Sequence, residues 1–307
     1  MSARERGGIG RTAIRQPAGE AYPVAVALYR LVRSPELSDP TLVAAFDGWI
    51  DAGGAATAAV TQLADEGEII ARFDGDELLD YRARRPSLEI VDGRLADLAW
   101  PEVTLRWNRL YGRDVLVLTG AEPDYRWRAL AGATVELAQS LGVVEWISVG
   151  AIPAAVPHTR PVPVLGSTSQ PGLLRGGVEA GPSGVLKVPA AAISVLEHAA
   201  AAAGIPALGY YAQVPHYVSG PYPAAAVELL TVLGRHLGVT IPAPELTSEA
   251  RQLRSRLDLA TAAEETTRLY VERLESMVDE ARLPSGDELI ADIERFLRDR
   301  GSDAPRS

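Results

Sequence analysis

The chain has 307 residues, 47% hydrophobic and 23% charged, which is the balance of a folded globular protein and excludes a mostly disordered one. Forty acidic against thirty basic residues give a formal charge of -10, which argues against a general binder of the nucleic-acid backbone. Cysteine is absent, so disulfides, thiolate nucleophiles and thiolate zinc sites are excluded together; no metal or cofactor is expected.

Residues 1–20 are rich in Gly and Arg and read as a mobile N-terminal segment. They lack the apolar stretch of a secretory signal, and the expected location is the cytoplasm. Residues 21–244 read as an α/β core. Val24 to Val32 is a strand pattern, and Thr41 to Phe46 is a short apolar strand running into Asp47-Gly48. Ala52 to Ala64 is a helix of small residues. Strand patterns follow at Glu68 to Phe73, Leu88 to Val91 and Val103 to Leu110. Asp114 to Thr119 and Val143 to Val149 are nearly continuous apolar runs, the mark of strands buried on both faces. Tyr125 to Leu141 lies between them as a helix. A proline-rich loop runs from Ala151 to Pro163. Pro189 to Ala203 is a helix, Ile205 to Gln213 a strand and Pro223 to Leu237 a helix. The longest apolar region, Val188 to Tyr211, is broken by Glu197, His198, Gly204 and Pro206, so it reads as a buried helix and strand and not as a membrane span. Strands alternating with helices predict a three-layer α/β fold, a mixed, mostly parallel sheet covered by helices.

The composition changes after Pro244. Residues 245–300 hold fourteen acidic against nine basic residues, and small or apolar residues fall at positions 246, 250, 253, 257 and 260 and again at 271, 274, 278 and 281. That spacing predicts a C-terminal helical extension, and Glu264 and Thr267 interrupt the seam, so it is one long bent helix or two. Ser285-Gly286-Asp287-Glu288 fits a capping box for a last helix, and residues 301–307 form a tail.

No motif states a reaction by itself. Gly8-Ile9-Gly10-Arg11-Thr12-Ala13 satisfies GxGxxA but follows no strand; there is no P-loop, HExxH or GxSxG, and Lys187 is the only lysine. The informative pattern is positional, because ligands of open α/β sheets collect beyond the carboxyl ends of the strands. Asp47 ends the second strand, and Asp51 with Gly53 and Gly54 opens the next helix, as a cap or as an anion-facing turn. Glu122, Asp124 and Arg126 follow the Asp114 strand, with Asp124 a cap or a hydrogen-bond acceptor. His158 and Arg160 sit in the proline-stiffened loop, and His216 follows the Ile205 strand. If those strands are parallel, the loops meet at one sheet edge. A pocket there would serve catalysis, ligand sensing or partner docking, with His158 or His216 as general acid/base, Asp47 or Glu122 as orienting carboxylate, and Asp51, Gly53, Gly54, Asp124, Arg126 and Arg160 as ligand contacts.

The segments Phe46-Asp47-Gly48-Trp49-Ile50-Asp51-Ala52-Gly53, Glu122-Pro123-Asp124-Tyr125-Arg126-Trp127, Pro157-His158-Thr159-Arg160-Pro161 and Val214-Pro215-His216-Tyr217 together resemble the proteasome assembly chaperone 2 family, in particular its actinobacterial branch. The resemblance spans roughly residues 22–280. It implies a core similar to purine nucleoside phosphorylases and a self-associating protein, with a trimer as the leading expectation. It also implies a binding or assembly role without turnover and proteasome subunits as partners. A small-molecule hydrolase or transferase is the alternative that the phosphorylase-like core leaves open. Archaeal relatives dock through a C-terminal hydrophobic–Tyr–any-residue motif. The residues Ala304-Pro305-Arg306-Ser307 lack it, so docking is expected to use the folded surface. No nucleic acid and no membrane is expected as a partner.

Overall fold

Each residue from Thr41 to Phe46 is buried, and successive side chains enter opposite faces of one sheet, as strand geometry dictates. The computed structural model describes residues 27–182 and 184–281. The expected N-terminal segment, the last helix and the 301–307 tail lie outside them.

In chain order the elements are β1 (Tyr29–Leu31), β2 (Thr41–Asp47), α1 (Ala55–Ala64), β3 (Glu68–Phe73), α2 (Gly75–Leu78), β4 (Ser87–Val91), β5 (Arg94–Ala99), β6 (Val103–Leu110) and β7 (Arg113–Ala121). There follow α3 (Trp127–Ser140), β8 (Glu145–Ala154), β9 (Val164–Thr168), α4 (Ala192–Ala202), β10 (Ala207–Pro215), α5 (Pro223–Leu237), α6 (Pro244–Ala263) and α7 (Glu265–Ala281). Eight strands form one sheet in the order β1-β3-β6-β7-β2-β8-β10-β9. The central four, β7, β2, β8 and β10, are parallel, and antiparallel pairs flank them on both sides.

Leu42, Ala44, Phe46, Leu116, Leu118 and Trp146 face one side, where α3 and α4 cover them with Leu130, Leu137, Ile193 and Leu196. Val43, Ala45, Val115, Val117, Ile147 and Val149 face the other, under α1 and α5. The result is the three-layer arrangement that the alternation of strands and helices predicts. Burying each large aliphatic side chain is worth about 1.5–3 kcal/mol, so these two layers dominate the stability.

The sequence pattern does not predict α2, β5 or β9, and two further segments differ from it in placement or length. The strand at Leu88 to Val91 does not join the sheet. It pairs with β5 as a separate hairpin through the two-residue turn Asp92-Gly93, both residues having positive φ. Such a turn matches the twist of the strands it joins. The proline-rich loop is shorter than expected, because β8 continues to Ala154 beside β10.

Among the described residues the C-terminal extension is two helices. Glu264 takes an extended conformation between them, and its carboxylate accepts from the Thr266 (2.8 Å) and Thr267 (2.6 Å) hydroxyls. The charged residue that interrupts the seam thus stands just before the second helix, where its backbone carbonyl accepts the Arg268 amide (3.0 Å). Leu246, Leu253 and Leu257 of α6 pack on the α5 side of the core, and Val271 and Leu274 of α7 are 3% and 2% exposed. No described helix is long and apolar enough to cross a membrane.

Candidate functional site

The loops after β2, β7, β8 and β10 leave the sheet at the same edge, because the four strands are parallel. At the tips of β2 and β7, Asp47 Oδ1 accepts the Glu122 backbone amide (3.0 Å) and pairs with the Arg84 guanidinium. Glu122 works in two directions. Its Oε2 accepts the Trp49 amide (3.1 Å) and its Oε1 accepts the Ala192 amide (2.9 Å) at the start of α4. A carboxylate there satisfies a helix-end donor and faces the positive end of the helix dipole. Gly48 makes room for it, since a Cβ at Gly48 would stand 2.5 Å from Glu122 Oε2.

Asp51 serves α1. Its Oδ1 accepts the Ala56 amide (2.7 Å) and the Thr57 amide (3.3 Å), and its Oδ2 accepts the Thr57 hydroxyl. Burial pushes its carboxyl above the usual aspartate value, against the pull of these donors. Gly53 and Gly54 both have positive φ, and a Cβ on Gly53 would press on Tyr222, whose amide donates to the Gly53 carbonyl (2.9 Å). Asp124 Oδ2 accepts the Asp80 amide (2.8 Å), and Arg126 pairs with Glu77.

At the tips of β8 and β10 the partners come partly from the core and partly from the C-terminal helices. Tyr217 Oη accepts the His158 backbone amide (2.7 Å) and lies within hydrogen-bond distance of His158 Nδ1 (2.7 Å). His158 is 3% exposed. Burial pushes its imidazole below the ordinary histidine value, and the neighbouring Arg254 adds to this, so the ring is neutral. Nε2 has no hydrogen-bond partner among the described residues: Asp258 Oδ1 stands 3.3 Å away without hydrogen-bond geometry. The His158 carbonyl accepts from Arg254 Nη1 (2.8 Å).

Arg160 reaches α7. It grips Asp279 with two parallel bonds (3.0 and 2.8 Å) and adds Glu275 (3.1 Å), which also takes the Thr159 hydroxyl. His216 Nδ1 lies 2.9 Å from the Ala154 carbonyl and donates to it, which leaves Nε2 to accept from Tyr270 Oη (3.0 Å). The rings of His158, His216, Tyr217 and Tyr270 form one edge-to-face chain.

The structure therefore groups the sequence candidates into neighbourhoods. Asp47 and Glu122 touch each other. His158, Arg160 and His216 gather under α6 and α7. Asp51, Gly53 and Gly54 shape the start of α1, while Asp124 and Arg126 bind the segment before β4. A cavity of about 530 Å³ between α5, α6 and the loop after β8 is lined by His158 and Arg160 and not by Asp47 or Glu122. Both ring nitrogens of His216 are engaged, by the Ala154 carbonyl and by Tyr270, and Tyr217 occupies Nδ1 of His158. Among the described residues no cluster of three His, Cys, Asp or Glu side chains could hold a metal ion. The residues that sequence reasoning did not place here are Arg84, Arg254, Tyr270, Glu275 and Asp279. Tyr270 precedes the buried Val271 in the seam, which was the available signal. Nothing marks Arg84.

Residues 45–260 match the model of the PAC2 family. A Corynebacterium glutamicum protein of unknown function is 32% identical, with a TM-score of 0.77 over 83% of this chain and 97% of its own. A PAC2 family protein from Streptomyces avermitilis is 38% identical, with a TM-score of 0.69 over 76% of this chain and 100% of its own. A Mycobacterium tuberculosis proteasome-assembly chaperone homologue is 34% identical, with a TM-score of 0.69 over 75% of this chain and 99% of its own. No curated protein matches the chain. The chain belongs to the PAC2 family.

Proposed function

We propose that the chain is a self-associating binding protein of the assembly-chaperone type, a trimer that docks a protein partner through its folded surface without turning over a substrate. The β4–β5 hairpin carries this reading. Leu88 pairs with Leu98 and Ile90 with Leu95, so four aliphatic side chains share one face, while Glu89 and Asp97 share the other. All residues of both strands are exposed, Leu95 at 76%, and Trp100 beside them at 52%. A lone two-stranded hairpin is marginal in water, and an apolar face of this kind marks a protein contact. The 34%-identical homologue described as a proteasome-assembly chaperone homologue points to proteasome ring subunits as the partner class.

Light scattering after gel filtration, together with pull-down of proteasome α-type subunits, tests the proposal. The natural chain should run as a trimer and enrich those subunits over a charge-matched control. Leu95→Glu combined with Leu98→Glu should give a folded monomer. A natural chain that is monomeric and enriches no ring subunit would overturn the reading.

A further inference from the structure

The cavity between α5 and α6 holds polar groups that the fold does not use. Glu228 enters from α5, half-buried, and makes no hydrogen bond or ion pair among the described residues. Arg251 lines the rim from α6 and is exposed to solvent. Its Nε donates to the Thr247 carbonyl (3.2 Å), and its terminal nitrogens bind nothing among the described residues. The two face the same space without pairing. The other cations there are committed, Arg160 to Glu275 and Asp279, and Arg254 to Asp258 and the His158 carbonyl. The remaining wall is mainly apolar, with Val162, Val227, Leu253 and Leu257. Burial raises the Glu228 carboxyl above the usual glutamate value, against the weaker attraction of Arg235 two turns along α5.

A cavity of about 530 Å³ with apolar walls and a few separated charged groups has the build of a small-molecule site. A carboxylate and a guanidinium, both unpaired and apart, are complementary to a ligand with the opposite charges at its two ends. We infer that this cavity binds a small zwitterion, its ammonium on Glu228, its carboxylate on the Arg251 fork, and an aliphatic body between them. That is the chemistry of an apolar amino acid or a short apolar peptide. A guanidinium takes a carboxylate through two parallel hydrogen bonds, which fixes the orientation of the ligand. The assignment does not depend on the chaperone reading.

The test is calorimetric titration of the full chain with leucine, leucyl-leucine, N-acetyl-leucyl-leucine and leucyl-leucinamide. At least one of the two zwitterions should bind, and which binds more tightly identifies the source. Removing either charge from the better ligand should weaken binding by about tenfold or more. Glu228→Gln should erase the penalty for N-acetylation and leave that for amidation. Arg251→Ala should do the reverse. The unmodified protein decides the matter even if a variant fails to fold. Absence of binding by both zwitterions at millimolar concentration would overturn the inference. So would equal affinity for charged and capped ligands, or a penalty for only one of the two caps.

Discussion

The two halves of the strand-tip edge meet the same requirement in different ways. Loops that leave parallel strands carry backbone donors that must be satisfied. At β2 and β7 the core supplies the partners itself: Asp47 takes the Glu122 amide, and Glu122 takes amides from Trp49 and from the start of α4. At β8 and β10 the core falls short. Tyr217 holds the backbone of His158, but Arg254, Tyr270, Glu275 and Asp279 come from α6 and α7. The first half is a property of the α/β core, and the second exists only while the C-terminal helices are docked. The cavity lined by Glu228 and Arg251 lies in the second half, so any ligand there binds to a surface that the helices complete.

Removal of α6 and α7 is the largest perturbation of this asymmetry. Ending the chain at Ala243 uncovers the core side on which Leu246, Leu253 and Leu257 pack and deletes the buried Val271 and Leu274. Each large aliphatic side chain contributes about 1.5–3 kcal/mol through burial. The truncated protein should melt well below the natural one and aggregate, as light scattering during the melt would show. A truncated chain that stays soluble with an unchanged melting temperature would mean that the helices do not complete the β8–β10 half.

Glu122→Ala probes the other half and should have a smaller effect. It leaves the Trp49 and Ala192 amides without their acceptor, at a cost of about 1–3 kcal/mol for each donor that water does not reach. Ala192 is buried and Trp49 exposed, so nearly all of the loss should come from the α4 bond. Denaturant unfolding would measure it. Hydrogen exchange should locate the change at the start of α4 and leave α7 protected. If α7 loosens as well, the two halves are not independent.

The halves were also unequally legible in the sequence. The strands β2, β7, β8 and β10 show as apolar runs because both faces are buried, and the tip residues follow from where those runs end. What Glu122 and Asp47 do was not legible, since their partners lie at Trp49, Arg84 and Ala192, far away in the chain. β9 is a short edge strand with Gly166 in its centre, and its pattern is too weak to read. β5 holds Arg94, Asp97 and two alanines, poor strand formers, although Asp92-Gly93 was a hairpin signal in plain view. The break at Glu264 was legible from the seam, but the docking of α7 on His216 and Arg160 depends on tertiary packing alone.

The smallest effect concerns protonation of His158, and it reports on the closed state of the β8–β10 half. Burial and Arg254 lower the value of the imidazole, outweighing the attraction of Asp258 and Glu275. The unfolded chain keeps the ordinary value of 6.5. Between the folded and unfolded values, the unfolded chain binds a proton that the folded chain does not, so stability falls as the pH drops through 6.5 and levels off below the folded value. His158→Gln keeps a hydrogen-bonding group beside the Tyr217 hydroxyl and removes the titration. Melting curves from about pH 8 to about pH 5 should show the natural chain losing stability faster than His158→Gln over this window. In the chain ending at Ala243 the same substitution should no longer alter the pH dependence, because Arg254 and the cover over the ring are gone. Parallel curves for the natural chain and His158→Gln would show that His158 is not sealed under α6, and the contrast between the two halves would then rest on Arg160 and His216 alone.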